Sequence, residues 1–424
     1  MYKAVKINDN VYWVGALDYS LRSFHGYNTQ RGSTYNAYLI LDKTITLVDT
    51  VKAPFAEQMI ERIKSVIDPS KIELLISNHV EMDHSGSIPA IVKYNPKMRI
   101  ATAAGSGVSG LRAHYGNDLN LEPIRTNSTL NIGERTFHFV TTPLLHWPDN
   151  MVTYEEHDKI LYSNDGFGQH LCTNKRWDDE VDWSVIEFEA KKYYANILLC
   201  YGKEALKAVN VVKTLDIDMI LPSHGVMYRK HVKDIIAKYE SWATQTDAED
   251  ALIVYDSMWH STEKMADAIN ESLTEMGIRT HFYDLKGTHP SDIISDLIDS
   301  KYVIVGSPTL NNQILPTVAA FLCYIKGLSP KNKICYAFGS YGWNNKGLLV
   351  LNKELAECGF KSLDEKGFAV SYIPSEEKLN ELKLKIRTLI EVNSQYENTC
   401  DKWYSRFLWR FKESFRCQFW WWKI

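Results

Sequence analysis

The sequence predicts two α/β domains in series: an αβ/βα sandwich of two sheets, then an open, doubly wound parallel sheet. Three observations carry this expectation. Apolar, strand-like runs alternate with helical spacing along the chain. The first half has no glycine-rich dinucleotide turn, which suits two packed sheets there. A short acidic segment, Thr244-Gln245-Thr246-Asp247-Ala248-Glu249-Asp250, has no apolar anchor until Ala251 and marks a boundary. The chain has 424 residues and is 45% hydrophobic, enough for two cores. The expected domains are 1–248 and 249–393, with a remainder, 394–424, that fits neither.

In the first domain Val11-Tyr12-Trp13-Val14 reads as a short strand. Tyr35 to Leu41 and Thr46 to Asp49 read as a hairpin across Asp42-Lys43. Pro54 to Val66 has helical spacing, with Phe55, Met59, Ile60, Ile63 and Val66 on one face. A buried strand, Leu74-Leu75-Ile76-Ser77-Asn78, follows. After it come a helix from Ile88 to Tyr94 and a strand from Met98 to Thr102. Further strands are expected at Thr136 to Val140, Met151 to Tyr154, Lys159 to Ser163 and Met219 to Leu221. One long helix is expected from Trp183 to Val212.

Chemistry gathers where these strands end. His79-Val80-Glu81-Met82-Asp83-His84 places four metal-ligand side chains within six residues, directly after a buried strand. The expectation is a loop in which alternate residues converge without a helical period. His146, Asp165 and His224 each stand beside another strand-like run. A lone His or Asp is usually solvated or structural, whereas converging ligand types at strand ends mark a site. Seven ligands exceed one tetrahedral metal and suit two metals sharing a bridge. Glu81 hardens the donor set toward iron or manganese. His25 lies in a polar loop, where a surface position is as open as one beside the metals, and His170, five residues after Asp165, is open in the same way.

The second domain opens with a parallel-type strand, Ala251 to Tyr255. The turn Ser257-Met258-Trp259-His260-Ser261-Thr262 follows, then a helix from Glu263. A hydroxyl-rich turn at a helix N-terminus favours phosphate. Two more strands run into loops: Tyr302 to Val305 into Pro308-Thr309-Leu310-Asn311, and Lys333 to Phe338 into Ser340-Tyr341-Gly342-Trp343. Ligands of open α/β folds bind at such carboxyl edges. Trp259, Tyr341 and Trp343 offer faces for a flat ring.

The metal array resembles the metallo-β-lactamase-like fold, whose usual motif is His-x-His-x-Asp-His, with Glu81 standing where the second His would be. With the spacing from His146 to Asp165, it resembles the flavodiiron protein family. The second half resembles flavodoxin, so the similarity runs from residue 1 to about 393. The resemblance implies a metallo-β-lactamase-like domain followed by a flavodoxin-like one. It implies FMN in the three loops of the second domain, and two iron ions in the first. One iron would take His79, Glu81 and His146, the other Asp83, His84 and His224, and Asp165 would bridge. The implied activity is reduction of oxygen to water and/or nitric oxide to nitrous oxide, with electrons from FMN. The donor is left open among rubredoxin, a reduced deazaflavin and a flavin reductase. Gly32-Ser33-Thr34-Tyr35-Asn36-Ala37-Tyr38 leans toward the deazaflavin-oxidising branch. A head-to-tail homodimer, or a dimer of such dimers, is also implied. Where the family has Gly, this chain has His260, which restricts the backbone and offers a donor to the phosphate. The alternative reading is a zinc-dependent hydrolase fused to a flavodoxin electron carrier.

Composition narrows the setting. A net charge of −4 points to no nucleic-acid partner. No run is apolar enough for a membrane span, and no N-terminal signal is read, so a cytoplasmic protein is expected. The seven cysteines form no CxxC pair and read as free thiols, so a rubredoxin would be a separate protein. From residue 401 the chain is aromatic and basic, with six Lys/Arg against two Asp/Glu.

Overall fold

A computed structural model describes residues 2–246 and 248–395; the aromatic, basic tail lies outside the described residues. The chain divides into two compact units at 247/248, except that His289–Ile298 clusters with the first. That segment contains the helix Pro290–Leu297. Asn28 N donates to Ser291 Oγ at 3.1 Å, and Lys192 pairs with Asp292.

The first unit is a sandwich. Its seven-stranded sheet runs Val5–Lys6, Val11–Trp13, Tyr38–Ile40, Thr46–Val48, Leu74–Ser77, Arg99–Ala103, Leu121–Ile124. Its five-stranded sheet runs Thr129–Asn131, Thr136–Thr141, Met151–Glu155, Ile160–Asn164, Met219–Pro222. Trp13, Tyr38, Leu74 and Ile76 of one sheet and Phe137, Phe139, Tyr162 and Leu221 of the other share one buried core. The outer face of the first sheet packs Leu39, Leu47 and Leu75 against helical Met59, Ile63, Ile88, Ile91 and Leu111. Alternation along each strand therefore separates the two cores.

Three sequence expectations change. The strand Tyr35 to Leu41 is broken, because Asn36 leaves the ladder. Asn36 accepts from Trp13 Nε1 at 2.8 Å and donates to Pro222 O at 2.8 Å. The long helix is also broken, into Trp183–Tyr193, a π-helical Tyr194–Leu198, a 3-10 turn Leu199–Tyr201, and Gly202–Val212. Gly202 sits where a Cβ would come within 3.0 Å of Ala243 O, so helix Val232–Thr244 packs close at the restart. Its apolar spacing continues across the break, which hides it from periodicity. Finally, Asp83 and His84 lie on a one-turn helix, Met82–Ser85, rather than in a loop.

The second unit holds a parallel sheet in the order Thr280–Asp284, Asp250–Tyr255, Ser300–Gly306, Ile334–Tyr341, with Lys361–Ser362 and Phe368–Ser371 both paired to the last. Helix Ser261–Glu275 packs Met265, Ala266, Ile269 and Leu273 on it. The five described cysteines are all unpaired. Among the described residues no helix is long and apolar enough to cross a membrane.

Candidate active site

One buried carboxylate ties together the strand ends of the first unit. Asp49 accepts from Asn78 N at 2.8 Å, Asn78 Nδ2 at 3.1 Å and Asn164 Nδ2 at 3.2 Å, with Ser223 Oγ at 3.5 Å. Asn78, Asn164 and Ser223 immediately precede His79, Asp165 and His224. Both sheets thus present their ligands from a common anchor.

The ligands meet in two groups. His79, Glu81, His146 and Asp165 form one, and Asp83, His84 and His224 the other; within each, donor atoms lie within 4.8 Å of one another. Asp165 faces both. Its Oδ2 is 3.4 Å from His146 Nε2 and 3.8 Å from His79 Nε2, while its Oδ1 is 3.0 Å from His84 Nε2 and 3.4 Å from His224 Nε2. Glu81 Oε2 lies 3.1 Å from His146 Nε2 and 3.4 Å from His79 Nε2. Asp83 sends one oxygen to within 3.3 Å of His84 Nε2 and the other to within 3.2 Å of His224 Nε2. Ligands held at about 2.0–2.2 Å from one metal stand roughly 3.0–3.5 Å from each other, and of the distances above all but His79–Asp165, at 3.8 Å, fall in that range.

Hydrogen bonding gives the same answer. His79 Nε2, both Asp83 oxygens, both His84 nitrogens, both Asp165 oxygens and His224 Nε2 are buried with no hydrogen-bond partner. Buried polar atoms are nearly always paired. So many orphans facing two points fit a dinuclear metal centre. Electrostatics agrees. Burial disfavours charge on His146 and His224, but Asp165 with Glu81 or Asp83 outweighs it, raising them to about 9 and about 10. Burial pushes Asp165 up, yet His84, His146 and His224 hold it well below the usual carboxylate range.

Other side chains orient this array. His79 Nδ1 bonds Asp149 Oδ2 at 2.9 Å, and Val80 N donates to the same oxygen at 2.7 Å. His224 Nδ1 bonds Thr34 O at 2.7 Å. Sequence reasoning missed Asp149 and Asp49, because neither has ligand spacing; the only signal for Asp149 is its place three residues after His146. His25 Nε2 lies 2.5 Å from Glu81 Oε1, with its ring half exposed. His170 is buried: its Nδ1 bonds Ser33 Oγ at 2.7 Å and its ring stands 4.7 Å from that of His224. An imidazole whose Nδ1 is fixed by a carboxylate keeps one tautomer for the metal, and losing that partner costs about 10–100-fold in metal affinity. Asp149→Ala is therefore expected to weaken binding at the His79 group by that factor, measured by metal titration of the apoprotein.

The second unit carries a cavity of about 720 Å³ at the carboxyl edge of its sheet. Met258, Trp259 and Ser261 line it from the first loop, Pro308, Thr309, Leu310 and Asn311 from the second, and Ser340, Tyr341, Gly342 and Trp343 from the third. Trp259 and Trp343 are 85% and 92% exposed, leaving open aromatic surface for a flat ligand. The other three expected residues do not line it. Ser257 is buried beneath the loop, and Thr262 Oγ1 bonds Ser340 Oγ at 3.0 Å. His260 Nδ1 lies 2.5 Å from Glu263 Oε2. Asn312, Asn344, Tyr372 and Ile373 also line the cavity and were not foreseen. The last two follow the strand Phe368–Ser371, which sequence reasoning did not find.

Backbone geometry explains part of the departure at His260. Its φ is +64°, the left-handed region that favours glycine. A non-glycine residue there costs about 1–2 kcal/mol. His260→Gly is expected to raise stability by up to about 1 kcal/mol and leave FMN content unchanged. Loss of FMN from the purified variant would show that the imidazole holds the phosphate.

Comparison with known proteins places this arrangement. The family model described as ODP family beta lactamase matches residues 34–225, and the Flavodoxin model matches residues 253–386. A nitric oxide reductase of Moorella thermoacetica is 41% identical over 384 residues, 89% of this chain and 96% of that protein. The solved rubredoxin:oxygen oxidoreductase of Desulfovibrio gigas is 39% identical with a TM-score of 0.89, covering 92% of this chain and 98% of that one. The solved flavodiiron protein of Giardia intestinalis is 36% identical, with a TM-score of 0.89, covering 92% and 96%. The chain belongs to the flavodiiron protein family. It is an oxidoreductase, with a metallo-β-lactamase-like domain and a flavodoxin domain. The cofactors of this flavodiiron protein are FMN and a diiron centre.

Proposed function

We propose that this flavodiiron protein reduces oxygen to water, nitric oxide to nitrous oxide, or both. The observation that carries the reading is Asp165, whose two oxygens face two separate ligand groups. His79, Glu81 and His146 would hold one iron, Asp83, His84 and His224 the other, with Asp165 between them. Held there, two irons would supply redox chemistry for a diatomic gas, and FMN in the second unit would supply the electrons.

The chain's own residues do the rest. Burial of all seven ligands keeps bulk water from the metals. Asp149 and Thr34 O fix the rings of His79 and His224. His25 spans from solvent to Glu81, so its Nε2 is placed to carry a proton inward for a reaction that consumes protons. In the second unit Ser261, Thr309 and Ser340 line the cavity and would receive the FMN phosphate and ribityl chain.

The similarity to a nitric oxide reductase and to a rubredoxin:oxygen oxidoreductase supports both gases as substrates, and rubredoxin as one donor. A reduced deazaflavin and a flavin reductase are the other donors we carry. We assign the protein to the cytoplasm, on the unpaired state of its five described cysteines, and to a head-to-tail homodimer or a dimer of such dimers. Electrode assays test the reading: each donor is supplied in turn with oxygen or nitric oxide. Gas consumption that needs the bound iron supports it, and failure to consume either gas with every donor overturns it.

A further inference from the structure

The first unit has a second cavity, of about 40 Å³, on the outer face of its five-stranded sheet. Val140 and Val152 of that sheet form its floor, and Val209 and Val212 of helix Gly202–Val212 its roof. Val211 at the rim is 39% exposed, so the cavity opens toward solvent. One water needs about 10–15 Å³ and two to four polar partners. The room is sufficient here, but the partners are scarce. Ser163 Oγ, at the wall, already donates to Gly166 O at 2.6 Å.

The position of the wall matters more. Ser163, Gly166 and Phe167 line the cavity and flank Asp165, the residue that faces both metal groups; Leu145, which also lines it, precedes His146. Along the chain, residues of this apolar lining therefore stand next to two of the candidate metal ligands. Cavities with such apolar linings take up xenon and other apolar guests. Oxygen and nitric oxide are small, weakly polar gases that partition from water into such surroundings.

We propose that this cavity is a holding site for the diatomic gas, delivering it to the metal centre past the Ser163–Phe167 loop. The proposal rests on the gas-reductase reading and deepens it. The test uses crystals of the whole protein under xenon pressure, together with gas kinetics. Xenon density is expected between Val152 and Val209. Ala208→Phe, and separately Val212→Phe, should remove that density. Each should lower kcat/KM for the gas several-fold, with iron and FMN content and kcat at saturating gas unchanged. No xenon in the wild-type cavity, or unchanged kcat/KM in filled variants that have lost xenon, overturns the proposal. Xenon occupancy does not depend on turnover. Xenon in a wild-type protein that consumes neither gas would therefore sink the gas-reductase reading and with it the delivery role, while leaving an apolar gas site.

Discussion

Asp165→Ala is expected to lose both metals and to abolish gas reduction, with FMN retained. Each oxygen of Asp165 faces a different ligand group, at 3.4 Å and 3.8 Å on one side and 3.0 Å and 3.4 Å on the other. Removing both leaves the first group with His79, Glu81 and His146 and the second with Asp83, His84 and His224, and nothing holding the two ions at a common distance. Asp165→Asn separates the contributions. It keeps the shape but supplies one carbonyl oxygen and one amide donor, so it should retain at most one metal per chain. Elemental analysis beside FMN absorbance reads both variants. Two irons per chain in Asp165→Ala would show that Asp165 is no bridge.

Asp49→Ala is expected to have the next largest effect, without touching a metal ligand. It leaves the Asn78 amide N–H and the Asn78 side-chain amide without their acceptor in a buried site, and the Asn164 side-chain amide with Ser223 Oγ alone. Each such orphan costs about 1–3 kcal/mol. A total near 3 kcal/mol or more lowers the melting temperature of a unit this size by roughly 6–12 °C. The same loosening frees the residues just before His79 and Asp165, so metal content should fall too. Calorimetry of apoprotein and metal-loaded protein reads the two effects apart. A variant that melts unchanged but binds less metal would mean Asp49 acts on the site alone.

The metal ligands were legible because their chemistry is carried by residue type: His, Asp and Glu at the ends of apolar strands. All seven fall in the two groups. The loops that line the second unit's cavity were legible for the same reason, as hydroxyl and aromatic residues after parallel strands. What the sequence hid was the support. Asp49 and Asp149 act through hydrogen bonds across 29 and 70 positions of chain, and no local pattern encodes such pairings. The break at Leu199–Tyr201 was hidden because its apolar spacing runs on, while close packing at Gly202 decides it. Asp83 and His84 fall on one helical turn too short to show a period. The Glu263 partner of His260, one helical turn on, has no signal in the turn itself.

The most direct measurement of the central claim is anaerobic stopped flow on protein whose metals have been counted. The protein is fully reduced, then mixed with oxygen or nitric oxide while flavin absorbance is followed. Flavin reoxidation much faster than that of free FMN, in protein holding two irons per chain, is the predicted result, and the faster gas names the physiological substrate. Reoxidation no faster than free FMN, with zinc in the site and hydrolysis of an ester or thioester, would contradict it.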